Sequence, residues 1–250
     1  MIDLHSHILP GLDDGARTIE EARALARLAA SEGVTAIAAT PHVRTDYPTR
    51  PEQMEEGVEE LRRDFDEQAI PVEVLHGGEI AVDALPDLDR DELRRFTLAQ
   101  NGSYLLLEFP YRGWPLELEE RVFELRAAGL TPILAHPERN AHVQERPESL
   151  AEAVRNGALV QVTAASLDGR LGRSSREAAL HLLELRLAHV LASDAHTPAI
   201  REAGLAAAVD AIRDWPLGRY LTEVAPAAIV AGETVPDPPR KAHRRRFLLF

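Results

Sequence analysis

The chain is predicted to be an α/β protein, a distorted (β/α)7 parallel barrel, and three observations carry that reading. Apolar, β-rich runs alternate with helical patterns from the first residues to about residue 213. The runs are rich in Val, Ile, Leu and Ala on both faces, as strands buried under helices are. Nearly every run ends in a histidine or a carboxylate. An open sheet would spread those ends along a line, whereas a closed ring gathers them at one mouth.

The elements follow in order. Residues 2–7 form the first strand. A helix follows with Thr18 as N-cap and Glu21 closing a capping box, and it ends at Gly33, a suitable C′ residue. Residues 34–42 form the second strand, and a second helix begins after Thr49 with Pro51 in its first turn. Five further strands end at Glu79, Phe109, His136, near Thr163 and at His196. Helical patterns at about 116–128, 147–156, 174–187 and 199–213 separate the later strands. Beyond residue 213 the pattern weakens to a short helix pair over 222–233 with Gly232 as terminator. The whole of 1–250 is expected to form one domain, with the barrel over 1–213 and a helical cover and tail over 214–250.

Composition excludes several chemistries. There is no cysteine, which removes disulfides, thiolate nucleophiles and Cys-ligated zinc. The net charge of −13 argues against a nucleic-acid partner. Lys241 is the only lysine among the 28 basic residues, so a Schiff-base, P-loop or carbamylated lysine has only a tail residue to use. No apolar run reaches the roughly 18 residues of a membrane span. The opening MIDLHSH lacks the basic and apolar regions of a secretory signal, so a soluble cytoplasmic protein is expected.

The strand ends carry the chemistry. His5 and His7 close the first strand, His42 the second, Glu79 the third, Glu108 the fourth, His136 the fifth, and Asp194 with His196 the seventh. From His5 the spacings are 37, 37, 29, 28 and 58 residues, the last spanning two strand–helix units. Two residues apart on a strand, His5 and His7 face one side, as do Asp194 and His196. A lone histidine is usually structural; eight such residues at six strand ends indicate a metal site. Imidazole and carboxylate without thiolate suit Mn²⁺, Fe, Zn²⁺ or Mg²⁺. With Asp14, four carboxylates bring about −4 to the pocket and three divalent ions about +6, a balance suited to a phosphate dianion. His76, His181, His189 and His243 fall away from the pattern, and His142 is undecided.

The motifs MIDLHSHILPGLDDG, GVTAIAATPH, GGEI, LLLEFP, PILAHPERN and ASDAHTPAIR resemble the PHP (polymerase and histidinol phosphatase) superfamily over residues 1–201. Within it they resemble the CpsB-type tyrosine phosphatases of bacterial capsule and exopolysaccharide clusters. The resemblance implies three ions, most often Mn²⁺. His5, His7, Glu79 and Asp194 would hold the first, and Glu79, Glu108 and His136 the second. Asp14, His42 and His196 would hold the third, with Asp13 capping the turn. Arg139 and Arg201 would bind the substrate phosphate. A metal-bridging hydroxide would attack phosphotyrosine, with the tail of a bacterial tyrosine autokinase as protein substrate. Tyr47, Tyr111 and Trp114 either wall a groove for the phenyl ring or pack loops onto the barrel. Histidinol phosphate is the nearest competing substrate, and a non-catalytic kinase-docking regulator a more distant reading. The tail, with basic residues from Arg240 to Arg246 and an apolar end at 247–250, is read as a strap on the barrel, with contact to an anionic membrane as the alternative.

Overall fold

The computed structural model describes residues 1–198 and 204–239. Ten strands are β1 (Ile2–Ser6), β2 (Ala36–Ala39), β3 (His42–Arg44), β4 (Tyr47–Pro48), β5 (Glu73–Leu75), β6 (Glu79–Ala81), β7 (Tyr104–Glu108), β8 (Thr131–Ala135), β9 (Leu159–Thr163) and β10 (Val190–Ala192). They pair in two sheets, β1-β2-β5 and β10-β9-β8-β7-β6-β3-β4, parallel throughout except for the short β3–β4 hairpin. The expected second strand is broken at Thr40-Pro41 into β2 and β3, and the third at His76-Gly77-Gly78 into β5 and β6. Proline lacks the N–H a ladder needs. At Gly78 a Cβ would stand 2.5 Å from the Phe96 ring. The breaks carry each strand from one sheet to the other.

The ring closes between its first and last strands. The Asp194 N–H donates to His5 O at 2.9 Å and the His7 N–H to Ala195 O at 3.0 Å. Buried Asp3 joins the seam by accepting from the Ser193 N–H at 2.9 Å. Apolar residues from several strands, among them Leu4, Leu75, Leu106, Ile133 and Val190, pack against each other and Ile229 inside the ring. A larger cluster lies between the ring and its helices. Ile229 belongs to a helical segment over 215–230 that contains a π-turn at Tyr220–Val224 and is followed by Gly232 at φ 69°. This segment begins at Trp215, earlier than the short helix pair expected over 222–233, and packs Ile229 on the inner apolar cluster. The basic tail lies outside the described residues.

Local signals held with shifts. Helix Ile19–Ser31 has Thr18 as N-cap, accepting from the Glu21 N–H. The Glu21 carboxylate instead accepts from the Arg17 N–H at 2.8 Å, because Arg17 also offers it a guanidinium. Gly33 has φ 88° and follows the helix as expected. Helix Pro51–Glu67 starts after Arg50, not Thr49; Gln53 Oε1 accepts from the Arg50 N–H at 3.0 Å and replaces a hydroxyl cap. Between β6 and β7 a 3-10 turn Val82–Asp87 and a helix Arg90–Arg95 appear that the apolar pattern did not predict. Among the described residues no helix is long and apolar enough to cross a membrane.

Candidate metal centre

A bulge in β1 sets up the site. Asp3 pairs with Ile37 and Ser6 with Ala39, three steps on one strand against two on its neighbour. The extra residue re-aims the side chains. Leu4 packs inside the ring, yet His5 also turns inward, its Nδ1 donating to Gln161 Oε1 at 3.0 Å. Beyond β1, the His7 Nδ1–H donates to Asp13 Oδ2 at 2.6 Å. Asp13 is fixed in turn by the His42 N–H at 3.0 Å and the Gly15 N–H at 2.9 Å. The close approach at Gly15 requires glycine, since a Cβ there would fall 2.1 Å from His7 O.

Both histidines therefore spend their Nδ1 protons outward and leave Nε2 lone pairs facing each other. His5 Nε2 and His7 Nε2 are 3.2 Å apart. Glu79 Oε2 lies 3.4 and 3.3 Å from them, and Asp194 Oδ1 3.4 and 3.5 Å. Ligand atoms about 2.0–2.2 Å from one ion stand about 3.0–3.5 Å from each other. Four lone-pair atoms at such separations repel unless a cation lies among them, so the residues fit a metal ion. Burial opposes protonation of His5, but the Glu79 and Asp194 carboxylates raise its pKa to about 9.

Glu79 is the shared member of the cluster. It stands with His5 and His136 in one group and with His42 and Glu108 in another. His136 Nε2 is 2.8 Å from its Oε1, and His42 Nδ1 is 2.9 Å from its Oε2. Glu108 Oε2 is 3.6 Å from His42 Nδ1. Burial and the Glu79 charge push the Glu108 pKa up. Arg44 Nη1 donates to Glu108 Oε1 at 2.8 Å and offsets that charge. At the outer edge, Asp14 Oδ1 lies 3.4 Å from both His42 Nε2 and His196 Nε2. His42 Nδ1, Glu79 Oε2 and His136 Nδ1 are buried without hydrogen-bond partners, a second sign that the cluster fits cations.

The structure thus gathers His5, His7, Asp14, His42, Glu79, Glu108, His136, Asp194 and His196 at one end of the ring. His136 and Asp194 sit just past β8 and β10 with φ of 38° and 51°, the left-handed region that L residues avoid. Asp13 does more than cap the turn. Burial works against its charge, but the hydrogen bond from His7 brings its pKa down to about 2.

Arg139 Nη1 donates to Asp194 Oδ2 at 2.7 Å, with its guanidinium 4.6 Å from the centre of the Tyr111 ring. Arg201 lies outside the described residues. Tyr111 stacks on His136 at 5.7 Å and Tyr47 on His42 at 5.8 Å, so two of the three expected aromatics border the cluster. Trp114 instead packs on Phe109 and His142, which places His142 beside a loop tryptophan. Gln161, Asp13 and Arg44 were not foreseen as supports; each lies 6 to 156 residues from the partner it holds. Only Asp13 sits close enough in sequence to have been read, as the other half of the Asp-Asp pair.

A family model described as capsular polysaccharide synthesis, CpsB/CapC, matches residues 1–224. The tyrosine-protein phosphatase YwqE of Bacillus subtilis is 37% identical over 78% of this chain and 77% of its own. The putative tyrosine-protein phosphatase CapC of Staphylococcus aureus is 36% identical over 79% and 77%. A crystal structure from work on YwqE and Streptococcus pneumoniae CpsB, described as unique metal-dependent tyrosine phosphatases, superposes with a TM-score of 0.84 at 33% identity, covering 96% of this chain and 100% of that one. A β-aspartyl dipeptidase from Fervidobacterium islandicum, at TM-score 0.55 and 13% identity over 96% of this chain and 78% of that one, shares the fold alone.

Proposed function

The chain belongs to the CpsB/CapC family of capsular polysaccharide synthesis, and from that premise we propose that it is a metal-dependent phosphatase acting on protein phosphotyrosine. The observation that carries this reading is the convergence of nine imidazoles and carboxylates at one mouth, four of them with donor atoms at ligand-to-ligand spacing. His5, His7, Glu79 and Asp194 would hold one divalent ion. Glu79, Glu108 and His136 would hold a second, with His42 Nδ1 within reach, and Asp14, His42 and His196 a third. Manganese suits a mixed imidazole–carboxylate set without sulfur. Bound there, the ions supply Lewis-acid charge and water of lowered pKa.

The chain's own residues bind and orient. Arg139 presents a planar guanidinium at the rim, stiffened by Asp194 and the Tyr111 face, where it can receive two phosphate oxygens. Arg201, by its place in the family motif, is the second phosphate arginine. Tyr47 and Tyr111 border the mouth and offer faces to the substrate's phenyl ring. In the reaction water adds to phosphorus, the bond to the tyrosine oxygen breaks, and the phenolate takes up a proton. A phenolate of pKa about 10 leaves with less acid assistance than an alkoxide needs. The protein substrate is read as the tyrosine-rich tail of a bacterial autokinase at the cytoplasmic side of capsule synthesis.

The test combines elemental analysis of the purified protein with hydrolysis of a phosphotyrosine peptide, with and without Mn²⁺. Three equivalents of metal and metal-dependent phosphate release are expected. Full metal occupancy with no release would overturn the reading.

A further inference from the structure

A groove of about 700 Å³ leaves the metal cluster sideways, and nothing in the chemistry above uses it. One wall is the 3-10 turn that follows β6, with Val82 and Pro86; the other is the loop after β7, with Pro110, Pro115 and Leu116. Its inner end is formed by Arg44 and Glu108, so the groove begins at a carboxylate of the cluster itself. The outer wall is anchored to the site, because Asn140 Nδ2 donates to Pro110 O and Gly113 O at 2.6 and 2.7 Å.

We propose that this groove binds the substrate chain next to the phosphotyrosine and selects apolar flanking residues over acidic ones. The proposal rests on the phosphatase reading and deepens it. The groove is continuous with the mouth, so a chain whose phosphotyrosine is seated there must leave across a neighbouring surface, and this one is recessed. Its volume falls within the about 300–1,000 Å³ of sites that enclose ligands. Charge then decides the chemistry. Arg44 is committed to Glu108 and Asp46, and Arg121 to Glu117 and Glu124. Exposed Asp83 adds a further negative charge. An acidic flank meets carboxylates without an uncommitted cation among the lining residues, whereas an apolar flank meets prolines, Val82 and a Leu116 side chain that is 91% exposed. Prolines also lack N–H groups, so recognition through side chains outweighs strand pairing.

The experiment compares manganese-loaded wild type, Leu116→Lys and Pro86→Lys on three substrates: p-nitrophenyl phosphate, a phosphotyrosine peptide with Leu and Val flanks, and one with Asp and Glu flanks. Wild type is expected to use the apolar peptide about tenfold better than the acidic one, the difference appearing in KM. Leu116→Lys, at a position that is 91% exposed, replaces apolar surface by an uncommitted cation and should remove most of that preference while leaving p-nitrophenyl phosphate unchanged. Pro86→Lys, exposed on the opposite wall, should act likewise. Equal use of both peptides by wild type, or equal loss on the small ester, overturns the docking proposal. No turnover of any substrate by the loaded wild type overturns the phosphatase reading and the docking proposal with it.

Discussion

Asp13 and Asp14 are adjacent in sequence and opposite in what they touch. Asp13 holds the back of His7, while Asp14 faces His42 and His196 directly. Their substitutions should therefore separate. Asp13→Asn keeps an acceptor but loses the charge that fixes the imidazole, and metal affinity should drop about 10–100-fold at unchanged stoichiometry, measured by chelator competition. Asp14→Ala would remove a proposed ligand outright and should lower the stoichiometry by one equivalent. Arg139→Ala tests a third role, with turnover on phosphotyrosine expected to fall about a hundredfold and metal content intact. Metal loss in that variant would assign Arg139 to holding Asp194 instead.

Strand ends, more than strands, made this site readable. The histidine and carboxylate spacing was visible because six of the seven expected strands bring one or two cluster side chains to the same end, the strand ending at Thr163 bringing none. The breaks in the second and third strands were marked by Thr40-Pro41 and Gly77-Gly78 but were hidden inside continuous apolar runs. The bulge in β1 left no composition signal at all, since it is a register relation with β2. Supports such as Gln161 and Arg44 were equally hidden, because their partners are joined only by folding. The helix Arg90–Arg95 was legible in principle from its Asp89 and Glu92 capping box, yet it buries no residue and so shows no apolar stripe.

The β9–β10 edge gives an acid-sensitivity prediction. His189 is buried before β10, where its Nδ1 accepts from the Val160 N–H at 3.2 Å, and burial lowers its pKa to about 4. The unfolded chain, with a histidine pKa of about 6.5, takes up the proton first as pH falls. Stability from neutral His189 is thus complete above pH 6.5 and lost toward pH 4, at up to about 1.4 kcal/mol per unit. In metal-free protein, His189→Gln should flatten the fall in urea midpoint between pH 6.5 and 4. An unchanged slope would remove His189 as the cause.

At the scale of the molecule, the ring is sealed where the histidine–carboxylate cluster lies. The backbone bonds of His7 and Asp194 close β1 onto β10, and the side chains of the same residues belong to the cluster. Chelation should therefore loosen the seam before the rest. Amide exchange at His7 and Asp194 is expected to accelerate after metal removal, while amides between β8 and β9 keep their protection. Reloading at about 100 times the dissociation constant should restore about 2.7 kcal/mol per site. Uniform acceleration across the ring would show that the ions stabilise the molecule without a preferred seam.

The left-handed backbone at His136 and Asp194 has an evolutionary consequence. Glycine would occupy both positions with less strain, and asparagine tolerates them as well as aspartate does, so folding alone does not require an imidazole and a carboxylate there. A paralogue released from hydrolysis would be expected to drift first at these two codons, and a pair of Gly or Asn residues there would mark a lineage in which the chemistry has lapsed.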